Sequence, residues 1–184
     1  MIELNNNLLI GTGRDRACYY HPQDPQLCIK VAIRPEKQTY REKRYFRLLQ
    51  KQKKDIALLA LYRGTIETNL GLGALYDLIR DDNGHVSPTL TEAIRSKHIN
   101  ADQVKQLSAQ LKDYLFSEVI SVRDLSPNNV MIQTHQGILR PVIVDGVSNP
   151  GVNPLNIRCA VLAKYFLRRS WTTFTSKLQR LLHD

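Results

Sequence analysis

Two apolar runs in the second half of the chain constrain its fold most. Val130-Met131-Ile132 and Ile138 to Val144 are joined by Thr134-His135-Gln136-Gly137, a hairpin signal. An antiparallel hairpin brings its two open ends side by side. Asn129 stands just before the first run and Asp145 just after the second, so an amide oxygen and a carboxylate are expected at one end of a small ribbon. Asp124 lies on the loop that enters the same end. Oxygen ligands of this kind suit Mg²⁺, which takes one or two protein carboxylates and completes its shell with phosphate oxygens and water. Asn-Asn and Asp-Gly are also plain turn formers. Taken alone, the segment supports a metal site or a pair of turns.

The remainder of the chain divides by pattern. Residues 8–10, 17–20 and 27–33 read as strands, with Gly11-Thr12-Gly13 between the first two and His21-Pro22-Gln23-Asp24-Pro25 between the next two. Residues 36–54 read as a helix and 57–68 as one or two strands. Asn69-Leu70-Gly71-Leu72-Gly73 reads as a loop or hinge, and Tyr76 to Arg80 as a short helix. Asn100 has the character of an N-cap with Gln103 at the capping-box position. Val104, Leu107, Leu111, Tyr114 and Leu115 then step by three and four, which predicts an amphipathic helix to about residue 117. Residues 148–156 resist regular structure, and 158–169 and 172–183 read as two helices. A strand-rich first part followed by a helix-rich second part predicts an α+β fold. At 184 residues it is expected to be one domain, 1–184, with an N-terminal lobe 1–70 and a reduced C-terminal lobe 71–184.

Charge narrows the classes of partner. The chain carries +9, and residues 34–54 hold nine Lys/Arg against Glu36 and Glu42. Residues 158–184 hold six more against Asp184, and everything else is mildly acidic. Two basic helices beside an acidic body suggest docking surfaces for an anionic partner. No finger, RRM or basic-zipper signature accompanies the charge, so specific nucleic-acid binding is not expected. No apolar run reaches the ~20 residues of a transmembrane helix. The start Met1-Ile2-Glu3-Leu4-Asn5 lacks the layout of a signal peptide, so a cytoplasmic location is expected. Cys18, Cys28 and Cys159 form no metal-binding spacing and read as reduced thiols.

The N-terminal part adds phosphate chemistry. Gly11 and Gly13 lie between two apolar strands, where glycines let the backbone approach an anion and offer it N–H donors. Lys30 interrupts the run Cys28-Ile29-Lys30-Val31-Ala32-Ile33. A lysine there needs an anionic partner or an escape to solvent. Glu42, deep in the helix that follows, is one source of that anion, and Glu36 is its rival.

In this order the elements resemble the protein-kinase signature set. Lys30-Val31-Ala32-Ile33 resembles the third-strand lysine segment, and Val122-Arg123-Asp124-Leu125-Ser126-Pro127-Asn128-Asn129 resembles the catalytic loop HRDLxxxxN. Val144-Asp145-Gly146 stands at the DFG position. Within that fold the whole chain is similar to the small bacterial YrbL family of PhoP regulatory network proteins. The resemblance implies a two-lobed kinase-like fold with a small antiparallel sheet and a trimmed helical C-lobe. It implies ATP and Mg²⁺ as cofactors, with Gly11 and Gly13 covering the phosphates. Lys30 would hold the phosphates, oriented by Glu42. Asn129 and Asp145 would bind the metal, and Asp124 would receive the acceptor proton. The adenine would dock near residues 67–73.

The departures are specific. Val122 replaces the loop histidine, Arg16 the third glycine and Ser126 a second lysine. Gly146 follows Asp145 with no aromatic between, and only residues 146–184 remain after it, with no A-P-E motif. The implied function is an ATP-dependent phosphotransferase acting on a hydroxyl of a protein or an anionic saccharide, in bacterial regulation or envelope stress. The alternative is a non-catalytic, pseudokinase-type regulator that binds a protein partner.

Overall fold

The computed structural model describes residues 1–35, 37–148 and 160–183. Five strands form one antiparallel sheet: β1 (Leu9–Thr12), β2 (Arg16–Tyr20), β3 (Leu27–Ala32), β4 (Tyr62–Thr68) and β5 (Gly71–Asp77), in spatial order β1-β2-β3-β5-β4. Alternation in β3 separates its side chains onto two faces. Ile29 and Val31 join Leu4, Ala17 and Tyr19 in a small outer cluster. Cys28 faces the main core with Ala74 and Tyr76, and with Tyr45, Phe46 and Leu49 of helix α1 (Gln38–Lys51). The sheet is therefore covered on both faces, and Lys30 lies on the face turned toward α1.

Two expectations are corrected here. Of the loop or hinge expected at 69–73, Asn69 and Leu70 form a tight turn but Gly71, Leu72 and Gly73 are strand, and the hinge expected at 67–73 beside the adenine is absent: Thr68 pairs with Gly71 across that turn between β4 and β5, and Leu70 and Leu72 are exposed. Tyr76 to Arg80 is not a helix, because Tyr76 and Asp77 complete β5. The sheet thus runs past residue 70 to Asp77, and the connection to the helical part is Leu78–Arg80. The physical reason is tertiary. β5 is the strand between β3 and β4, so its ladder bonds on both edges override a glycine-rich local pattern. Gly73 is required there, since a Cβ at that position would lie 2.4 Å from Ile29 Cγ2.

The second part holds helices α2 (Leu90–Arg95), α3 (Ala101–Glu118) and α4 (Ala160–His183), with the hairpin β6 (Val130–His135) and β7 (Ile138–Ile143). The Asn100/Gln103 capping box forms as expected, and α3 buries Val104, Leu107, Leu111, Tyr114 and Leu115. The hairpin forms as expected, with Val130 opposite Ile143. Its turn residues Gln136 and Gly137 both have positive φ, 53° and 75°, as a two-residue primed turn needs. The two helices expected at 158–169 and 172–183 are one helix over its described length. Ser170 and Trp171 do not interrupt it, having neither the missing donor of proline nor the backbone freedom of glycine. Leu167, Phe174 and Leu178 dock α4 on the core. The irregular segment expected at 148–156 falls, apart from Ser148, outside the described residues. Among the described residues no helix is long and apolar enough to cross a membrane.

Candidate active site

The hairpin places its ends as the sequence predicts. The Val144 N–H donates to the Asn129 carbonyl at 3.0 Å, which sets Asn129 and Asp145 side by side. A second tie links the loop before the hairpin to the chain after it. Arg123 N–H donates to Gly146 O at 2.8 Å, and Val122 bridges Val147. Gly146 makes this crossing possible: its φ is +77°, and a Cβ would stand 3.1 Å from Asp124 N and 3.2 Å from Asp124 O. The missing aromatic after Asp145 thus has a steric explanation. Asn129 Nδ2 donates to Asp124 O at 2.9 Å, fixing the amide so that its oxygen is left to accept.

Asp124, Asn129 and Asp145 line one wall of a cleft of about 600 Å³. The turn Gly13–Arg16 and the start of α1 line the other, and Arg14, Arg16, Lys37, Arg41 and Arg123 give it a positive rim. Gly13 is tied down by its N–H, which donates to Arg16 O at 2.8 Å. Gly11 sits in β1 opposite Cys18 with open space beside it and does not reach the cleft. A cavity of about 660 Å³ lies behind the linker against Leu59, Asp77, Leu78, Arg80 and Gln133, and none of the converging oxygen groups reaches it.

The charged centre differs from the expected lysine–glutamate pair. Glu42 is 1% exposed and takes Arg16, not Lys30. Arg16 Nη1 and Nη2 donate to Glu42 Oε2 and Oε1 at 2.9 and 3.4 Å, and Nη2 also meets Asp145 Oδ1. Glu42 further accepts from the Tyr76 hydroxyl, from Gln38 Nε2 at 3.1 Å and from Gly146 N–H at 3.2 Å. Lys30 turns instead to the Val144 carbonyl, 2.7 Å away, and to Asp145 Oδ1, 3.7 Å away. Its ammonium lies 4.7 Å from the centre of the Tyr76 ring. Glu36 is outside the described residues.

Two cations and two carboxylates balance in this cluster. Burial alone would lower the pKa of Arg16, but attraction to Glu42 and Asp145 more than reverses this, and the guanidinium stays charged. Burial likewise opposes ionisation of Asp145, yet Lys30 and Arg16 hold its pKa below the usual carboxylate range. The Tyr76 hydroxyl is pushed well up by burial and by Glu42, and remains a donor.

Sequence reasoning missed Arg16, Gln38 and Tyr76 as members of this site. Arg16 carried a signal, since a charge opening the apolar strand Arg16-Ala17-Cys18-Tyr19-Tyr20 needs a buried partner. Among the described residues no three His, Cys, Asp or Glu side chains form a metal cage. The donor set fits Mg²⁺ nonetheless. Asn129 and Asp145 both border the cleft, and the Asn129 amide is held through its nitrogen, which donates to Asp124 O. One carboxylate and one amide oxygen beside room for phosphate and water is a magnesium pattern rather than a zinc or calcium one.

The strand order, the helix between β3 and β4, and a loop–hairpin carrying Asp124, Asn129 and Asp145 define a protein-kinase-like α+β protein. The chain belongs to the YrbL family of PhoP regulatory network proteins, whose pattern matches residues 2–179. The YrbL protein of Escherichia coli K12 is 36% identical over 162 residues, covering 84% of this chain and 77% of that protein. The YrbL protein of Shigella flexneri matches to the same extent. The kinase domain of Mycobacterium tuberculosis PknI aligns with 89% of this chain and 70% of its own at 16% identity and a TM-score of 0.46. A double mutant of it aligns at 15% identity and 0.48, covering 89% of this chain and 68% of its own.

Proposed function

We propose that the protein transfers a phosphoryl group from ATP to a hydroxyl acceptor, a protein or an anionic saccharide, within bacterial regulation or the envelope response. The observation that carries this reading is the shared cleft: Asp124, Asn129 and Asp145 face the Gly13–Arg16 turn across it. Asp145 and Asn129 would hold Mg²⁺, which when bound neutralises phosphate charge. Asp124 has a side chain 70% exposed at the cleft wall, placed to accept the proton of an incoming hydroxyl. The acceptor oxygen bonds to the γ-phosphorus as the bond to the β-phosphate oxygen breaks, and ADP leaves with that electron pair. The positive rim suits both the nucleotide and an anionic acceptor.

Calorimetry with MgATP and an assay of ADP release test this reading. Asp145→Ala is expected to lose magnesium-dependent nucleotide binding, whereas Asp124→Asn keeps the affinity and loses transfer. Unchanged affinity in Asp145→Ala overturns the metal assignment. One observation favours the second reading, a regulator that binds a protein partner without catalysis. Arg16 and Lys30 both engage Asp145, and Lys177 of α4 stands 3.8 Å from Asp124. A wild-type protein that binds MgATP without turnover supports that reading, and turnover that vanishes in Asp124→Asn excludes it.

A further inference from the structure

The described residues contain one buried arginine at the heart of the site, and its geometry assigns it a task. Arg16 is 7% exposed and reaches the cleft from the first position of β2. Its guanidinium reaches Thr39 Oγ1 at 3.3 Å and, as a fork, two carboxylates, Glu42 and Asp145. These two differ. Glu42 is enclosed and held by Tyr76, Gln38 and Gly146, so it has no freedom to leave. Asp145 borders the cleft and is the carboxylate that a divalent cation would take. Lys30, by contrast, lies behind Asp145 on the Val144 carbonyl and does not line the cleft.

We propose that Arg16 is the phosphate-binding cation of this site and the internal counter-ion that occupies Asp145 until phosphate arrives. The proposal rests on the nucleotide reading given above and adds a residue and a coupling to it. When a nucleoside polyphosphate enters, Glu42 keeps Nη1 in place while Nη2 exchanges the Asp145 carboxylate for a phosphate oxygen. Guanidinium suits both acceptors, since its planar fork bonds carboxylate and phosphate alike. The exchange withdraws the Arg16 charge from Asp145, while Gln38 Nε2 at 2.7 Å and the Gly146 N–H at 2.9 Å stay on Oδ1, and leaves that carboxylate more negative toward a metal ion. Divalent cation alone meets the Arg16 charge still paired with Asp145, so it binds weakly. Lys30 remains the fixed partner of Asp145 throughout.

The test uses the full chain and two binding readouts. Mn²⁺ alone is titrated by electron paramagnetic resonance, and MgATP by calorimetry with adenosine as the phosphate-free control. Arg16→Gln alone strands the Glu42 charge, so the main variant is the double Arg16→Gln, Glu42→Gln, which leaves the cluster's net charge unchanged. Arg16→Lys is the second variant, retaining charge without the fork, and circular dichroism checks that both fold. In the double variant Mn²⁺ alone is expected to bind about five-fold tighter, the lower end of an ordinary coupling. MgATP is expected to bind about ten-fold weaker, as for loss of a charge-assisted phosphate contact, with adenosine unchanged. Arg16→Lys should move both readouts in the same directions, by less. Unchanged Mn²⁺ or unchanged MgATP affinity in a folded variant overturns the proposal while leaving the nucleotide reading intact. A wild-type protein that binds no MgATP overturns both.

Discussion

Gly146 shows how one residue joins two loops. Its φ of +77° is a conformation that costs an L-residue about 1–2 kcal/mol. Its missing side chain also admits the Asp124 backbone, with an added Cβ only 3.1 Å from the amide nitrogen. Gly137 separates these two effects, because its φ is similar, +75°, but nothing lies within 4 Å of an added Cβ. Gly137→Ala should therefore carry the conformational cost alone, and lower the melting temperature by about 2–8 °C for a chain of this size. Gly146→Ala should lower it further and weaken MgATP binding, since the Asp124 loop must move aside. Equal melting shifts in the two variants would show that the close approach carries no energy. The same pair marks what the sequence could tell. Asp-Gly was legible as a turn, but the contact that demands glycine comes from a residue 22 positions upstream, which no local pattern reports.

At the scale of elements, local signals were legible wherever one segment contained its own reason. The α3 capping box, the β6–β7 hairpin and the alternation in β3 are of this kind. β5 was not, because its conformation is imposed by neighbours on both sides. The Arg16–Glu42–Asp145 cluster was not, because it joins three elements. Helix α2 had a readable start, the Thr89/Glu92 capping box, whose two reciprocal bonds both form. Its short length weakened the periodicity that would have drawn notice. The hairpin also depends on a distant residue. Asp82, just past the linker, accepts the Gln136 N–H at 2.9 Å and the Gly137 N–H at 2.8 Å, one on each carboxylate oxygen. The Gly137 and Gln136 amides hold its pKa below the usual carboxylate range. A depressed folded value means that the stabilisation is complete above the unfolded pKa of about 3.9 and fades as pH falls through the folded value. Asp82→Ala should speed amide exchange at Gln136 and Gly137 at neutral pH. The difference from wild type should close in acid, below the folded pKa. A difference that persists unchanged there would mean that the carboxylate charge is not what holds the turn.

For the whole molecule the issue is where the +9 charge goes. The sequence placed the excess on two helices and suggested two docking surfaces. The structure brings parts of both to one place. Lys37 and Arg41, at the start of α1, line the cleft with Arg14, Arg16 and Arg123. From α4, Arg169 borders the neighbouring hollow beside Asp124, and Lys177 lies 3.8 Å from that carboxylate. Chain order hid this, because convergence of α1 and α4 depends on how the sheet and the helical part meet. A cleft rimmed by one sign of charge raises the local concentration of an anion and does so less as salt screens it. Lys37→Ser with Arg41→Ser should therefore weaken MgATP binding at low ionic strength, and the gap should narrow as NaCl approaches about 0.5 M, where the Debye length is only a few ångströms. Lys105→Ser with Lys112→Ser removes the same charge from exposed positions on α3 and should leave the affinity and its salt dependence unchanged. Calorimetry across a salt series reads both. Equal losses in the two double variants would mean that net charge, not the rim of the cleft, attracts the nucleotide. Loss confined to the first assigns the attraction to the rim of this cleft.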